Sequence, residues 1–110
     1  MAILKHTMNR RVRAALVVGC LLVVGCIADR PRLPAAEELA AETGADAETL
    51  RAGRTTYLQN CTECHRLYWP GEYPAAAWRR ILPDMGDRSG LSRAEIRDLT
   101  AFLVAASRQR

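Results

Sequence analysis

The sequence contains very little lysine and histidine. Its only lysine is Lys5, and its only histidines are His6 and His65. No segment alternates between apolar and polar residues as a half-buried strand does, and no internal repeat is visible. The apolar run of residues 14–25 is too short to cross a membrane as a helix, because a span needs about 20 apolar residues. The chain is therefore predicted to be all-α, with few side chains that could offer a nitrogen ligand to a metal.

The chain also lacks the patterns that indicate catalysis or nucleic-acid binding. It has no recognisable nucleophile–base pair, nucleotide-binding loop or second metal cluster, so we do not predict an enzyme. Four basic residues near the N-terminus account for the whole formal charge of +4: Lys5, Arg10, Arg11 and Arg13. The rest of the chain is neutral by formal count, and the basic balance therefore predicts no nucleic-acid partner.

Residues 1–25 are predicted to be a signal peptide that is removed by cleavage. The four basic residues precede the apolar run, which is the order found in secretory signals. The run ends in Val23-Val24-Gly25-Cys26, which resembles the lipobox of bacterial lipoproteins, where the cysteine after the cut carries the lipid. The alternative is an uncleaved anchor in which Cys26 is an ordinary residue. The pattern predicts a lipid on Cys26 that tethers the protein to a membrane of the bacterial cell envelope, on the periplasmic side.

The run from Cys61 to His65 has the form Cys-x-x-Cys-His, which is the attachment signature of a c-type haem. The thiols of Cys61 and Cys64 can each add across a haem vinyl group and form a thioether bond. The imidazole of His65 rises from the same turn and can ligate the iron from the proximal side. The alternatives are a redox-active cysteine pair and half of a zinc site, which lacks an obvious fourth ligand. The run predicts one covalently bound haem c.

The chain after the signal peptide divides into two predicted parts. Residues 26–46 are rich in alanine, glutamate and proline, and we expect them to form a flexible tether with at most one loose helical turn. Residues 47–110 form the predicted haem domain. Burial alone stabilises a domain of roughly 60 residues only marginally, so the haem is expected to form part of its core.

Three helices are predicted in this domain. The first covers residues 47–60 and leads into the haem motif. The second covers residues 75–82, because Pro83 removes a backbone donor and forbids continuation. The third begins after Ser92, whose hydroxyl can cap the helix while Glu95 completes a capping box. The predicted fold class is therefore a small all-α domain of about three helices around one haem.

Residues 50–106 resemble the class I cytochrome c family. In that family a glycine stands eight residues before the first haem cysteine and an aromatic residue stands four before it. Gly53 and Tyr57 occupy these positions, and residues 98–103 resemble the partner segment of the C-terminal helix. The resemblance implies a small monohaem cytochrome in which Gly53 lets the two terminal helices cross closely. A glycine inside a helix costs about 1 kcal/mol relative to alanine, which independently favours a packing role.

Met85 is predicted to be the distal ligand of the iron. It is the only methionine outside the predicted signal peptide, and residues 84–87 are expected to form a turn, where a methionine is an odd core filler. Met–His ligation is usual in electron-carrying cytochromes and raises the reduction potential. The interval from His65 to Met85 is shorter than is usual in the family, which predicts an exposed haem edge. A packing role for Met85 is the alternative.

The loop after the haem motif is expected to form part of the pocket wall. Three residues are candidates to contact a haem propionate: Trp78, Arg79 and Arg80. Trp78 could equally be an ordinary core residue. A backbone carbonyl near Pro70 or Pro74 is expected to accept a hydrogen bond from the free ring nitrogen of His65 and thereby fix its orientation.

The predicted function is the relay of single electrons, with the iron cycling between Fe(III) and Fe(II). The partner is expected to be an unidentified redox protein. The basic excess of residues 51–110 could steer an acidic partner, or it could be a solvated surface without a preferred partner. The alternatives are a haem-based sensor or small-molecule binder whose Met ligand is labile or absent, and a haem subunit of a larger oxidoreductase.

Overall fold

The computed structural model describes residues 32–109, in which four α-helices are connected by short turns and one longer loop. The helices are α1 (Ala36–Thr43), α2 (Ala47–Asn60), α3 (Ala75–Arg88) and α4 (Arg93–Ala106), and the loop contains a 3₁₀ turn, Pro70–Glu72. These described residues contain no strand, which confirms the predicted all-α class. None of their helices is long and apolar enough to cross a membrane. The predicted signal peptide and the predicted lipid site at Cys26 lie outside this part of the chain.

Helices α2 and α4 cross closely at Gly53. A Cβ atom at this position would lie 2.6 Å from the carbonyl carbon of Asp98 and 2.8 Å from the Cβ of Phe102. Both separations are well below the distance of about 3.5–4.0 Å at which carbon atoms pack. Glycine is therefore required at this crossing, as the sequence predicted. The residues that fill the crossing are buried: Leu50, Tyr57, Leu99, Phe102 and Leu103.

The capped start of α4 forms as the sequence predicted, and α2 begins with a cap that the sequence analysis did not name. The hydroxyl of Ser92 accepts a hydrogen bond from the backbone N–H of Glu95, and the carboxylate of Glu95 accepts one from the N–H of Ser92. This reciprocal pair satisfies two donors that a helix end would otherwise leave free. At α2, the carboxylate of Asp46 accepts the backbone N–H of Thr49 at 2.8 Å. The boundaries of α2 coincide with the predicted helix.

Packing begins well before the predicted domain boundary at residue 47. Residues 36–43 are helical rather than a flexible tether, and Ala36 and Leu39 are 2% and 0% exposed. Gly44 ends α1 with a φ of 73°, a conformation in which glycine avoids the steric cost of a side chain. The guanidinium of Arg54 also donates a hydrogen bond to the carbonyl of Pro34. The tether prediction was wrong for residues 33–43, because two apolar residues three positions apart bury one face of a short helix against α2 and α4.

Helix α3 continues through Pro83, which the sequence analysis took as its end. The helix runs from Ala75 to Arg88, so the expected turn at residues 84–87 is helical, and Pro74 is the residue before the helix. Pro83 cannot donate to the carbonyl four residues earlier, but both Pro83 and Arg79 are exposed, so that carbonyl can bind water. Leu82 and Gly86 are buried, and their burial offsets the cost of the hydrogen bond that Pro83 cannot make. Gly86 lies so close to Ile96 of α4 that an added Cβ would be 2.8 Å from the Ile96 Cδ1 atom.

Candidate functional site

A cavity of about 390 Å³ lies between α2, α3, α4 and the loop that follows the haem motif. Its volume falls within the range of roughly 300–1,000 Å³ that is usual for small-molecule and cofactor sites. Four lining residues are the predicted haem attachment and ligand residues: Cys61, Cys64, His65 and Met85. Most of the remaining wall is aromatic or aliphatic: Tyr57, Tyr68, Tyr73, Trp78, Ile81, Leu82, Leu91 and Leu99. The chemistry of this lining fits a large apolar group that is held by thiols and by axial N and S donors.

The two thiols of the motif reach the cavity from the end of α2. Cys61 is the residue that ends α2, and its N–H donates to the carbonyl of Tyr57 at 3.2 Å, while Cys64 lies in the turn beyond. Both cysteines are free, Cys61 half-buried and Cys64 exposed. Burial raises the pKa of the Cys61 thiol, which disfavours the thiolate that both zinc binding and redox exchange require. Among residues 32–109, no group of three or more His, Cys, Asp or Glu residues is placed to hold a metal ion.

The ring of His65 is oriented by the next residue in the chain. Its Nδ1 atom lies 2.6 Å from the carbonyl oxygen of Arg66. A carbonyl only accepts, so Nδ1 carries the proton in this hydrogen bond and Nε2 keeps a free lone pair that can ligate iron. The predicted acceptor near Pro70 or Pro74 was wrong. The carbonyl of Pro70 instead accepts the indole N–H of Trp78 at 2.8 Å.

Met85 reaches the cavity from α3, a different element from the one that carries His65. Its side chain is 43% exposed. Three other cavity residues precede it at helical spacing: Trp78, Ile81 and Leu82. Residues separated by three or four positions share one face of a helix, so this face carries Met85 towards the cavity. The uninterrupted helix, rather than a turn, therefore determines where the thioether lies.

Of the three predicted propionate contacts, only Trp78 lines the cavity. Its ring is buried and packs edge-on against Tyr57 and Tyr73, at centroid distances of 6.4 and 5.3 Å. Because its N–H is donated to Pro70, Trp78 serves as a wall residue and not as a donor to a ligand. Arg79 and Arg80 are exposed and absent from the lining. They follow Trp78 by one and two positions and thus point roughly 100° and 200° away from it around the helix axis.

Arg88 lines the cavity although the sequence analysis did not select it. It stands three positions after Met85, on the same face of α3, and its Nε atom forms an ion pair with Asp84 at 3.1 Å. The signal that could have found it is the apolar periodicity of residues 78, 81, 82 and 85, extended by one more turn. Taking Pro83 as the helix end hid that signal.

The loop of residues 66–73 is held by side chains from two helices. The hydroxyl of Tyr57 in α2 donates to the carbonyl of Tyr68, and Trp78 in α3 donates to that of Pro70. Burial raises the pKa of the Tyr57 phenol well above its usual value, so the phenol stays protonated and keeps its role as a donor. These contacts bring Tyr68 and Tyr73 to the cavity wall, with their ring centroids 5.7 Å apart. The aromatic wall thus depends on two long-range hydrogen bonds.

Residues 57–110 match a model of the dihaem cytochrome c family, and this segment contains the Cys-x-x-Cys-His run, α3 and α4. The matched segment is just under half of the chain. The match supports a c-type cytochrome with covalently bound haem and a role in electron transfer, in a dihaem family rather than the class I monohaem family that the sequence resembles. The 110 residues contain a single Cys-x-x-Cys-His run. No curated protein and no solved structure matches the chain.

Proposed function

We propose that this chain binds one haem c and relays single electrons. The observation that carries the proposal is the convergence of four residues on one apolar cavity: Cys61, Cys64, His65 and Met85. The first three come from the turn after α2 and the fourth comes from α3. The convergence of two separate segments on one mainly apolar cavity supports a common bound group.

Each residue has a distinct role in the proposed site. A bound haem supplies reversible one-electron chemistry between Fe(III) and Fe(II). Cys61 and Cys64 would hold it through thioether bonds, and the Nε2 of His65 and the sulfur of Met85 would ligate its iron. The aromatic and aliphatic wall excludes water, and a low local dielectric is one of the means by which proteins adjust a haem potential. We propose no enzymatic activity, because the two thiols of the cavity are assigned to haem attachment and the His65 imidazole to the iron.

Absorption spectroscopy tests this proposal directly. The reduced full-length protein should show a sharp c-type α band, and its pyridine haemochrome should show one haem c per chain. The oxidised protein should show the weak near-infrared band of Met ligation. Cys61→Ala and Cys64→Ala should each reduce covalent haem incorporation, with Cys26→Ala as the matched cysteine control. Protein that matures in a haem-attaching host without any haem c band would refute the proposal.

A haem-based sensor or small-molecule binder is the second candidate. The thioether of Met85 is a neutral ligand that could leave the iron and vacate a binding position. Carbon monoxide separates the two functions. Rapid uptake by the reduced wild-type protein would favour the sensor, whereas uptake only after Met85→Ala would favour the electron carrier.

We also propose that a lipid on Cys26 tethers the domain to a membrane of the bacterial cell envelope. The support is the lipobox-like run before Cys26 and the basic and apolar pattern of residues 1–25. Cys26→Ala should move the protein from the membrane fraction to the soluble fraction, and an unchanged distribution would contradict the tether.

The electron partner is proposed to be another redox protein, either a diffusing carrier or the other subunit of a larger oxidoreductase. The basic excess of residues 51–110 could attract an acidic partner. An electron-transfer rate that falls as ionic strength rises would support a diffusing acidic partner, because salt screens exposed charges. Stable copurification with other subunits would support a fixed haem subunit.

A further inference from the structure

The carboxylate of Glu72 organises the loop that follows the haem motif. One of its oxygens accepts hydrogen bonds from the Arg66 guanidinium at 3.0 Å and from the backbone N–H of Trp69 at 2.6 Å. Its other oxygen accepts a second hydrogen bond from Arg66 at 2.8 Å. A single side chain thereby closes residues 66–72 into a ring. Such a forked arginine–carboxylate pair restricts orientation as well as distance.

The same Arg66 supplies the acceptor for the His65 ring. Its backbone carbonyl accepts from the His65 Nδ1 at 2.6 Å, while its guanidinium lies 4.2 Å from the centre of the Tyr68 ring. The Tyr68 ring in turn lies 5.1 Å from the His65 ring, centre to centre. The backbone carbonyl of Arg66 therefore contacts His65 through a hydrogen bond. The guanidinium of Arg66 contacts Tyr68, whose ring packs near His65.

We propose that Glu72 is a positioning residue for His65. By holding Arg66, Glu72 fixes the direction of the carbonyl that orients the His65 imidazole and keeps its Nδ1 protonated. The inference rests on the proposed function, because it assigns Glu72 an effect on an iron ligand. Glu72 makes no hydrogen bond to His65 and does not itself line the cavity, so it acts through Arg66 and the loop.

The pair is too exposed to serve mainly as a source of stability. The side chains of Arg66 and Glu72 are 63% and 35% exposed, and exposed ion pairs contribute little to folding. Loss of the Arg66–Glu72 pair is expected to affect the His65 imidazole instead. A hydrogen bond from Nδ1 makes the ring a stronger donor to the metal. A stronger donor favours Fe(III), so loosening this hydrogen bond should raise the reduction potential.

The midpoint potentials of Glu72→Ala and Arg66→Gln, measured on haem-loaded full-length protein, test the inference. If Glu72 positions His65, both variants lose the same constraint, and both potentials should rise. Simple electrostatics predicts opposite shifts instead. Loss of the negative Glu72 would raise the potential, and loss of the positive Arg66 would lower it, because positive charge disfavours Fe(III). Shifts of opposite sign would overturn the inference.

Hydrogen exchange of the His65 Nδ1 proton, followed by NMR, provides a second readout that charge alone would not move. Exchange should accelerate in both variants, and unchanged exchange would overturn the inference. Glu63→Gln is the matched control, since Glu63 is an exposed carboxylate of the haem motif that makes none of these contacts. Its exchange rate should equal that of the wild type.

If Glu72→Ala does not retain haem, the same two measurements can be made on Glu72→Gln, which keeps an acceptor oxygen. It should give a smaller rise in potential and a smaller acceleration of exchange than the alanine variant, and wild-type values for both would count against the inference. A failure of the proposed function appears differently. In that case the wild-type protein itself would show no haem c spectrum.

Discussion

The indole nitrogen of Trp78 donates a hydrogen bond to the carbonyl oxygen of Pro70 at 2.8 Å, within the buried core. This bond joins α3 to the loop that follows the haem motif. Trp78 also packs edge-on against Tyr57 of α2, whose hydroxyl holds the same loop through Tyr68. The two donors fix the cavity wall from two different helices, so the shape of the candidate haem site depends on residues that have no role as iron ligands.

Trp78→Phe should destabilise the fold while leaving an aromatic ring in place. The buried carbonyl of Pro70 would lose its donor, and an unsatisfied buried polar group costs about 1–3 kcal/mol. Chemical denaturation should show a fall of that size in the free energy of unfolding. Trp69→Phe, which changes a partly exposed ring in the same loop, is the control and should stay within about 0.5 kcal/mol of the wild type. Equal effects of both variants would contradict the assigned role of the hydrogen bond.

Pro83→Ala should stabilise the protein, because α3 continues through this position. Alanine restores a backbone donor towards Arg79 and suits a helix interior better than proline by up to about 3 kcal/mol. The gain should appear as a higher midpoint in thermal or chemical denaturation. Pro74→Ala, at the residue before α3, is the matched control and should change stability by less than about 1 kcal/mol. A loss of stability in Pro83→Ala would indicate that the helix ends at Pro83 after all.

Glu72 should give the fold a small sensitivity to acid, because the ion pair that it forms with Arg66 is exposed. Its hydrogen bonds with Arg66, and then with the Trp69 N–H, lower the pKa of the Glu72 carboxyl from 4.5 to about 2. A carboxyl whose pKa is lower in the folded state stabilises the fold above the unfolded pKa, and this contribution declines as the pH falls from 4.5 towards 2. The stability difference between wild type and Glu72→Gln should therefore be constant from pH 7 to pH 6 and shrink below pH 4.5.

The difference between these two proteins isolates Glu72. Other carboxyls with a lowered pKa, such as those of Asp46 and Glu95, occur in both proteins and cancel. Denaturation at several pH values measures the difference. A gap that stays constant down to pH 3 would show that the Arg66–Glu72 pair is not formed in solution.

Arg88→Gln should lower the reduction potential of the haem-loaded protein. Arg88 lines the cavity, and its positive charge there disfavours Fe(III). Arg80→Gln is the matched control, since Arg80 lies on the same helix but outside the lining, where water and salt screen its charge. Electrochemical titration of both variants should show a clear fall for Arg88→Gln and a smaller change for Arg80→Gln. Similar shifts would count against a special place for Arg88 in the site.

The parts of the fold that local patterns specify were predictable. Asp46 and Ser92 cap α2 and α4, because a capping side chain needs only the next three residues to make its hydrogen bonds. Gly53 was predictable for another reason. A glycine inside a helix is costly, so its presence indicated a close crossing, and α4 provides one.

The parts that depend on distant packing were not predictable. Residues 36–43 look like a tether in composition, yet Leu39 finds a buried place against helices that follow it in the chain. Pro83 looks like a helix end, yet Leu82 and Gly86 on either side of it are buried and hold the helix together. In both places, burial of apolar surface outweighed a local preference.

The sequence by itself determined the chemistry of the candidate site. Cys61, Cys64 and His65 are neighbours in the chain, so their spacing is the same in any fold. Outside the predicted signal peptide the chain has one histidine and one methionine, which left little choice of iron ligands. Only the tertiary structure decided which other side chains meet those donors. Continuation of α3 turned Arg88 towards the cavity and Arg79 and Arg80 away from it. The folded loop holds the Arg66 side chain against Glu72, and the Arg66 carbonyl then accepts the hydrogen bond from His65. The physical reason is that backbone polar groups pair with whichever groups the packing of the loop brings within reach.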